Sequence, residues 1–277
     1  MNNLDGLNSV KPFLRWAGGK SWLIKHLDQI LVDIKFNNYH EPFLGGGAIF
    51  LALNLSNNAF LSDLNEELIN VYLAIWDKPY KVISIMKEFS NTKEFYYELR
   101  DKTFDDPITQ AARFIFLNQT SYNGLYRVNS QGKYNVPYGY RSKVFLEEEK
   151  LLQASKRLQG ATIMYNDFMM IRTNINEGDL VFLDPPYTVS HNNNGFIKYN
   201  QKLFSLEDQK RLGLLIDYIK SIGAFYILTN AAHDTILDIF DKGDRLIELE
   251  RASLIGGEKA QRGRTTEYIF TNISNEG

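Results

Sequence analysis

The chain has 277 residues, 44% of them hydrophobic, with 31 basic against 33 acidic side chains and a net charge of −2. That length and apolar share supply a full buried core and suit one large domain with an insertion. There is no cysteine, which excludes structural disulfides, thiolate zinc sites and cysteine nucleophiles, and with them cytosine-C5 methylases and zinc deaminases. The histidines, His26, His40, His191 and His233, show no metal spacing; each is expected at the surface or at a helix end, and no metal is expected. No signal-peptide pattern opens the chain and no apolar run reaches membrane-spanning length, so a soluble cytoplasmic protein with no membrane partner is expected.

The first informative segment is Phe13-Leu14-Arg15-Trp16-Ala17-Gly18-Gly19-Lys20-Ser21. Gly-Gly-Lys-Ser invites a phosphate-loop reading, but Leu14 stands where that pattern needs glycine and no apolar strand precedes it. A loop whose Lys20 reaches a carboxylate and whose Trp16 reaches a sulfonium or an adenine ring fits better; Trp16 alone also fits an arm packed on the core. A helix over Ser21 to Leu31 follows. Glu41-Pro42-Phe43-Leu44-Gly45-Gly46-Gly47-Ala48-Ile49-Phe50 reads as a short strand, a glycine turn and a helix over Ile49 to Leu55. Phe50 replaces the third glycine of the dinucleotide fingerprint, which disfavours NAD. Asp63 ends a second strand, Ala59-Phe60-Leu61, and suits ribose hydroxyls at the nucleoside-binding edge of a Rossmann-like sheet.

From Glu66 to about Ser155 the pattern is mostly helical: Glu66 to Trp76, Lys81 to Phe89, Lys93 to Asp101, Ile108 to Leu117 and Glu147 to Leu158. Between Pro107 and Leu146 lie five basic residues (Arg113, Arg127, Lys133, Arg141, Lys143), eight aromatics and no acid. Such a segment in a neutral chain looks like a DNA-facing surface, against the blander reading of a solvated face with core tyrosines. Asn129-Ser130-Gln131-Gly132-Lys133 between two aromatic runs reads as a hairpin.

Strands are expected at Ala161 to Tyr165, Leu180 to Leu183, Phe225 to Leu228, Leu246 to Leu249 and Tyr268 to Thr271. Ser205 with Asp208 resembles a capping box opening a helix to about Lys220, so strand, helix and strand here mean a parallel sheet. The expected fold is therefore α/β, a Rossmann-like sheet made of 1–65 and 156–277, interrupted by a mainly helical, hairpin-bearing insert at 66–155. Two loops stand out: polar Thr188 to Gly195, suited to closing over a site, and Arg251 to Thr266, whose Arg262 and Arg264 suit phosphate contacts.

The most telling residues are Asp184-Pro185-Pro186-Tyr187, directly after Leu180-Val181-Phe182-Leu183. As a bare tetrapeptide this is also an ordinary strand-ending turn. Chemically it fits an exocyclic amine, whose lone pair is delocalised into its ring. Asp184 and the carbonyl of Pro185 can accept from the two amine N–H groups and draw the nitrogen toward tetrahedral geometry. Pro185 and Pro186 stiffen the turn, and Tyr187 offers a face on which an extruded base stacks. Positioning and electrostatics then carry the rate of attack on a methyl sulfonium, with no strong base required.

In this order, these segments resemble the alpha group of DNA amino-methyltransferases, the Dam-type adenine-N6 enzymes. The resemblance spans nearly the whole chain and includes Ser62-Asp63-Leu64-Asn65, Tyr122-Asn123-Gly124-Leu125-Tyr126-Arg127-Val128-Asn129 and Tyr134-Asn135-Val136-Pro137-Tyr138-Gly139. It implies S-adenosylmethionine as methyl donor, with Trp16, Lys20, Asp63 and Asp184 at cofactor positions, joined by Phe43, Gly45, Asp167 and Phe168. It implies duplex DNA as partner: Tyr122 enters the base stack, Asn123 and Pro137 lie near the target base step, Leu125 and Arg127 reach neighbouring bases, and Arg15 and Arg141 face DNA. Two departures, Gln119 in place of a common arginine and Tyr140-Arg141 in place of Arg-Tyr, make the target GATC or a related site. A cognate restriction endonuclease would be a functional partner. Cytosine-N4 methylation uses nearly the same chemistry and stays open, as do an RNA or protein-amide methyltransferase and a DNA-binding protein without catalysis; an NTPase is the weakest alternative.

Overall fold

Strands β1 (Tyr39–Glu41), β2 (Ala59–Asp63), β3 (Ala161–Tyr165), β4 (Leu180–Leu183), β5 (Phe225–Ala231), β6 (Arg245–Ala252) and β7 (Arg264–Thr271) form one seven-stranded sheet in the order β3-β2-β1-β4-β5-β7-β6. This is a computed structural model that describes residues 10–31, 34–55, 57–140, 145–188, 204–252 and 264–274, without the side chains of residues 251, 252 and 264. The first five strands are parallel, with Tyr39 opposite both Ala59 and Leu180, and β7 runs antiparallel to β5 and β6. The chain leaves β1 toward β2 and β3, then returns to place β4 on the other side of β1. The crevice at the C-terminal ends of β1 and β4 is thus the switch point at which open α/β sheets bind ligands. This is the mixed α/β, Rossmann-like sheet expected from the sequence.

β4 is buried on both faces, as a central parallel strand must be, and its residues divide with period two. Leu180 and Phe182 join one core with Ile227, Ile269 and the helices between β2 and β3. Val181 and Leu183 join the other with Tyr226, Leu228 and two later helices, α8 (Leu206–Ser221) and α9 (Asp234–Phe240). The capping box at Ser205 and Asp208 opens α8 as read, with each residue's side chain bonded to the other's backbone N–H.

Ahead of these run α1 (Ile24–Ile30), α2 (Ala48–Ala52), α3 (Glu66–Asp77), α4 (Pro79–Lys87), α5 (Lys93–Asp101), α6 (Pro107–Thr120) and α7 (Glu148–Leu158). Asn65 caps α3, whose first turn carries Glu66 and Glu67 at the positive end of the helix dipole. Asp106 caps α6 ahead of a first-turn proline. α3 lies on β2 and β3 and also against α4, α6 and α7, so the helical stretch shares a core with the sheet. The hairpin exists as two isolated antiparallel bridges, Val128 with Tyr134 and Ser121 with Tyr138, and not as regular strands.

Three expectations are corrected. Arg113, read as part of the basic surface, is buried, donating to the carbonyls of Leu99 at 2.9 Å and Arg100 at 2.6 Å, where it satisfies the C-terminal end of α5. Phe114, Phe116, Tyr134 and Tyr138 are likewise core, so the blander reading holds for half the segment's aromatics. His40 is neither at the surface nor at a helix end: it is fully buried in β1, stacked on Phe60 at 4.8 Å with Nε2 2.9 Å from Asp179 Oδ2. Helix α9, with His233 as its cap, had no strong periodic signal in its seven residues. Among the described residues no helix is long and apolar enough to cross a membrane.

Candidate active site

Asp184 follows the C-terminal end of β4, with its side chain 20% exposed. Its Oδ1 receives the Lys20 ammonium at 2.7 Å and the Thr229 hydroxyl at 2.8 Å, the latter from β5. Oδ2 takes no hydrogen bond among the described residues, which leaves an aimed acceptor on a side chain 20% exposed. Burial pushes the Asp184 carboxyl above its ordinary range, opposed by the Lys20 charge and the hydrogen bonds from Lys20 and Thr229. Lys20 is itself buried and also donates to the Gly18 carbonyl at 2.7 Å. Its ammonium lies 4.9 Å from the centre of the Tyr187 ring, and the Tyr187 hydroxyl donates to Glu267 of β7 at 2.6 Å. The Asp-Pro-Pro-Tyr turn is therefore held from β5, β7 and the N-terminal loop together.

The neighbouring strand ends continue the site. After β1, Gly45 adopts φ 47°, and a Cβ there would lie 2.8 Å from Trp16 Cδ1. Only glycine permits both that backbone and that approach. The Gly45 N–H donates to Asp63 Oδ2 at 2.9 Å, and Asp63 Oδ1 receives the Asn65 N–H at 3.0 Å. Asp63 is thus fixed at the end of β2, and burial raises its carboxyl to about 6 against those backbone bonds. Beyond β3, Asp167 accepts from the Met169 N–H at 2.9 Å and pairs with Arg211 at 2.9 Å. Phe168 stacks on Phe43 at 5.2 Å, and Phe204 closes on both, giving an apolar wall beside that carboxylate.

Asp184, Gly45, Asp63 and Asp167 follow one another along the C-terminal edge of four adjacent strands, which span about 14 Å at about 4.8 Å each. An apolar aromatic cluster with Asp167 beside it, Asp63 at the next strand end and the Lys20–Asp184 pair beyond is a set of groups that could hold an adenosyl group carrying an amino-acid tail. Glu41 adds a further carboxyl at the end of β1, where it accepts from Tyr39 Oη at 2.7 Å and the Phe50 N–H at 3.2 Å. Burial raises it to about 8. Among the described residues the one buried lysine at this edge is Lys20, which pairs with Asp184.

These shifts carry a stability prediction. Glu41 and Asp63 have folded-state values above their ordinary ones, so the folded chain holds more protons than the unfolded chain between them. The Glu41 contribution is full below 4.5 and is lost as pH rises toward about 8, while that of Asp63 is full below 3.8 and is lost toward about 6. Melting temperature should therefore fall across that interval, and Glu41→Gln should flatten the fall. Parallel curves for the two proteins would refute the assignment.

The expected DNA-facing residues gather around the bridge of Ser121 with Tyr138. Tyr122 is half exposed and its N–H donates to the carbonyl of exposed Pro137 at 2.8 Å. Asn123 sits at φ 54°, a conformation uncommon outside glycine that turns the chain between Tyr122 and Gly124. Leu125 is partly buried against the core, while exposed Arg127 has its guanidinium held by Asn135, at 2.8 Å to Oδ1. Arg15 lies beside this loop, its Nε donating to Gln119 Oε1 at 3.2 Å. Arg141, Arg262, His191 and residues 189–195 of the polar loop lie outside the described residues, as does the side chain of Arg264. Sequence reasoning missed Thr229, Arg211, Glu267 and Asn118 as partners of the site. Thr229 lies in β5, the strand beside the β4 motif, and was the most readable; Glu267 lay in a strand distant in sequence with no local signal. Among the described residues no cluster of three His, Cys, Asp or Glu could hold a metal ion.

A family model described as D12 class N6 adenine-specific DNA methyltransferase matches residues 16–254. The chain is 34% identical over 278 residues to the type II methyltransferase M1.LlaDCHI of Lactococcus lactis subsp. cremoris, covering 96% of this chain and 97% of that relative. It is 35% identical over 255 residues to the type II methyltransferase M.MjaIII of Methanocaldococcus jannaschii, covering 84% and 87%. The DNA adenine methylase of Escherichia coli strain K12 shares 30% over 233 residues, 82% of each chain.

Proposed function

The chain belongs to the D12 class of N6 adenine-specific DNA methyltransferases, and from that membership we propose which residues do the work and on what DNA. The family implies S-adenosylmethionine as donor and DNA as substrate. We assign Trp16, Lys20, Phe43, Gly45, Asp63, Asp167, Phe168 and Asp184 to the donor. Asp63 would take the ribose hydroxyls, Phe43 and Phe168 the adenine face, and Lys20 the carboxylate of the amino-acid tail. When bound, S-adenosylmethionine supplies a methyl group on a positively charged sulfur, and the surrounding carboxylates favour that charge over neutral solutes.

The observation that carries the catalytic reading is the state of Asp184: Oδ1 is occupied by Lys20 and Thr229, and Oδ2 is left to accept. A flipped adenine stacked on Tyr187 would place one amine N–H on Asp184 Oδ2 and the other on the carbonyl of Pro185. Both bonds draw the lone pair out of the ring. With the donor bound, the amine nitrogen would take the methyl group as the sulfonium becomes a neutral thioether, and the proton then shed from the methylated nitrogen would pass to Asp184 Oδ2, which already accepts its hydrogen bond. Pro186 keeps the turn rigid, and Glu267 keeps Tyr187 from rotating away from the base.

We assign residues 66–155 to target recognition, with Arg15, Tyr122, Asn123, Leu125, Arg127, Pro137 and Arg141 at the duplex and Arg262 and Arg264 on phosphates. The target is GATC or a related motif, since Gln119 and the Tyr140-Arg141 order depart from the pattern common among GATC enzymes. Two of the relatives are named type II methyltransferases, which favours a restriction-modification setting with an endonuclease of the same specificity. A DNA substrate puts the work in the cytoplasm, on the nucleoid.

Treating unmethylated genomic DNA with the protein and labelled donor, then mapping the product, tests this reading. N6-methyladenine confined to one short motif supports it, whereas N4-methylcytosine would overturn the base assignment. Arg127→Ala should reduce discrimination at one base beside the target by about 1–3 kcal/mol, as loss of a bidentate base contact does. The measurement is kcat/KM on the cognate duplex against singly substituted ones; an equal loss on all of them would mean a phosphate contact instead.

A further inference from the structure

Asn118 stands in the last turn of α6, fully buried. A helix position of that kind ordinarily takes an aliphatic side chain, since asparagine is a poor helix former and an unpaired buried amide is costly. Its amide instead reaches two loops. Oδ1 accepts from the Arg15 N–H at 2.8 Å, and Nδ2 donates to the Arg15 carbonyl at 2.8 Å and to the Gly124 carbonyl at 3.4 Å. One side chain therefore holds both backbone groups of Arg15, as a strand partner would, and ties that residue to the 122–124 turn.

The surrounding contacts repeat the connection. Gln119, the next residue, receives Arg15 Nε at 3.2 Å and donates to the Phe13 carbonyl at 2.5 Å. The Arg15 side chain lies across Gly124, where a Cβ would collide with it. Trp16, the following residue, rests on Gly45 and Gly46 and stacks on Tyr126 at 5.4 Å and 20°. Tyr126 donates to Glu67 of α3 at 3.0 Å. The loop that carries Trp16 and Lys20 to the donor edge and the loop that presents Tyr122, Asn123 and Arg127 are thus joined at a buried amide, with the Arg15 side chain and the Trp16–Tyr126 stack beside it.

Building on the proposed function, we infer that Asn118 is a positioning residue that couples donor binding to DNA binding. A ligand that orders residues 15–20 also orders 122–127 through Asn118, so the second ligand finds its loop already arranged. By linkage the effect is reciprocal: DNA strengthens donor binding by the same factor.

The test uses S-adenosylhomocysteine, which fills the donor site without chemistry, and a cognate duplex. In the wild type its presence should strengthen duplex binding by about 5–150-fold, the usual range of such coupling. In Asn118→Ala that ratio should fall to near one, while each ligand alone still binds. Asn118→Asp keeps the acceptor for the Arg15 N–H but loses both donations, and should give an intermediate ratio. A residue that only stabilised the fold would weaken both ligands and lower the melting temperature with the ratio intact, and that result overturns the inference. Amide exchange in the wild type provides a readout independent of either variant: S-adenosylhomocysteine should slow exchange at 122–126 as well as at 15–16, and protection that stops at the donor loop overturns the inference. A wild type that binds neither ligand would instead overturn the functional reading beneath it.

Discussion

Asp184→Asn should lower kcat for methyl transfer by about 10²–10³-fold, the usual cost of losing an aimed polar group at a reacting centre. The substitution keeps the volume of the side chain and an oxygen for Lys20 and Thr229, but it replaces the acceptor at Oδ2 with a donor. An amine N–H then meets another N–H, and the lone pair stays in the ring. Duplex affinity should change little, because the phosphate and base contacts are elsewhere. Asp184→Ala is the blunter variant: it leaves the Lys20 ammonium buried without its partner 2.7 Å away, a loss of about 3–5 kcal/mol of stability where a buried pair is broken from one side. A folded Asp184→Asn protein with wild-type kcat would remove Asp184 from the chemistry.

Gly45→Ala should weaken S-adenosylhomocysteine binding at least roughly tenfold, about 1.4 kcal/mol. Gly45 is held at φ 47°, and a Cβ would sit 2.8 Å from Trp16 Cδ1 and 2.9 Å from Nε1. Either the indole shifts or the turn does. Both are proposed donor contacts, and the Gly45 N–H also fixes Asp63 at 2.9 Å. The left-handed backbone adds about 1–2 kcal/mol of strain, which for a chain of this size lowers the melting temperature by a few degrees, about 2–4 °C per kcal/mol. Calorimetric titration with a parallel thermal melt separates the two effects. Unchanged affinity would place the donor away from this turn.

Most of the sheet was readable because its strands are short apolar runs ended by informative residues. Leu180 to Leu183 followed by Asp-Pro-Pro-Tyr, and Ala59 to Leu61 followed by Asp63, mark both the strand and the end that carries chemistry. The Ser205 and Asp208 box was readable because capping is local in sequence. What was not readable depends on long-range contacts. Arg113 looked like surface charge because composition does not say which face of α6 turns inward toward the α5 carbonyls. His40 pairs with Asp179, 139 residues away, and no spacing rule joins them. Asn118 carries no signal of its own in the sequence, and its role emerges only when Arg15, 103 residues earlier, folds back against it. Similarly, the turn motif points to the ring of Tyr187, while the hydroxyl that fixes the ring's orientation depends on Glu267, 80 residues further on.

A structure of the protein with S-adenosylhomocysteine and a cognate duplex would test the account most directly. It should hold the ribose hydroxyls on Asp63 and an adenine turned out of the duplex onto Tyr187, with its amine within hydrogen-bond reach of Asp184 Oδ2 and the Pro185 carbonyl. A target base left in the stack, or an amine directed away from Asp184 with the donor elsewhere on the sheet, would contradict it.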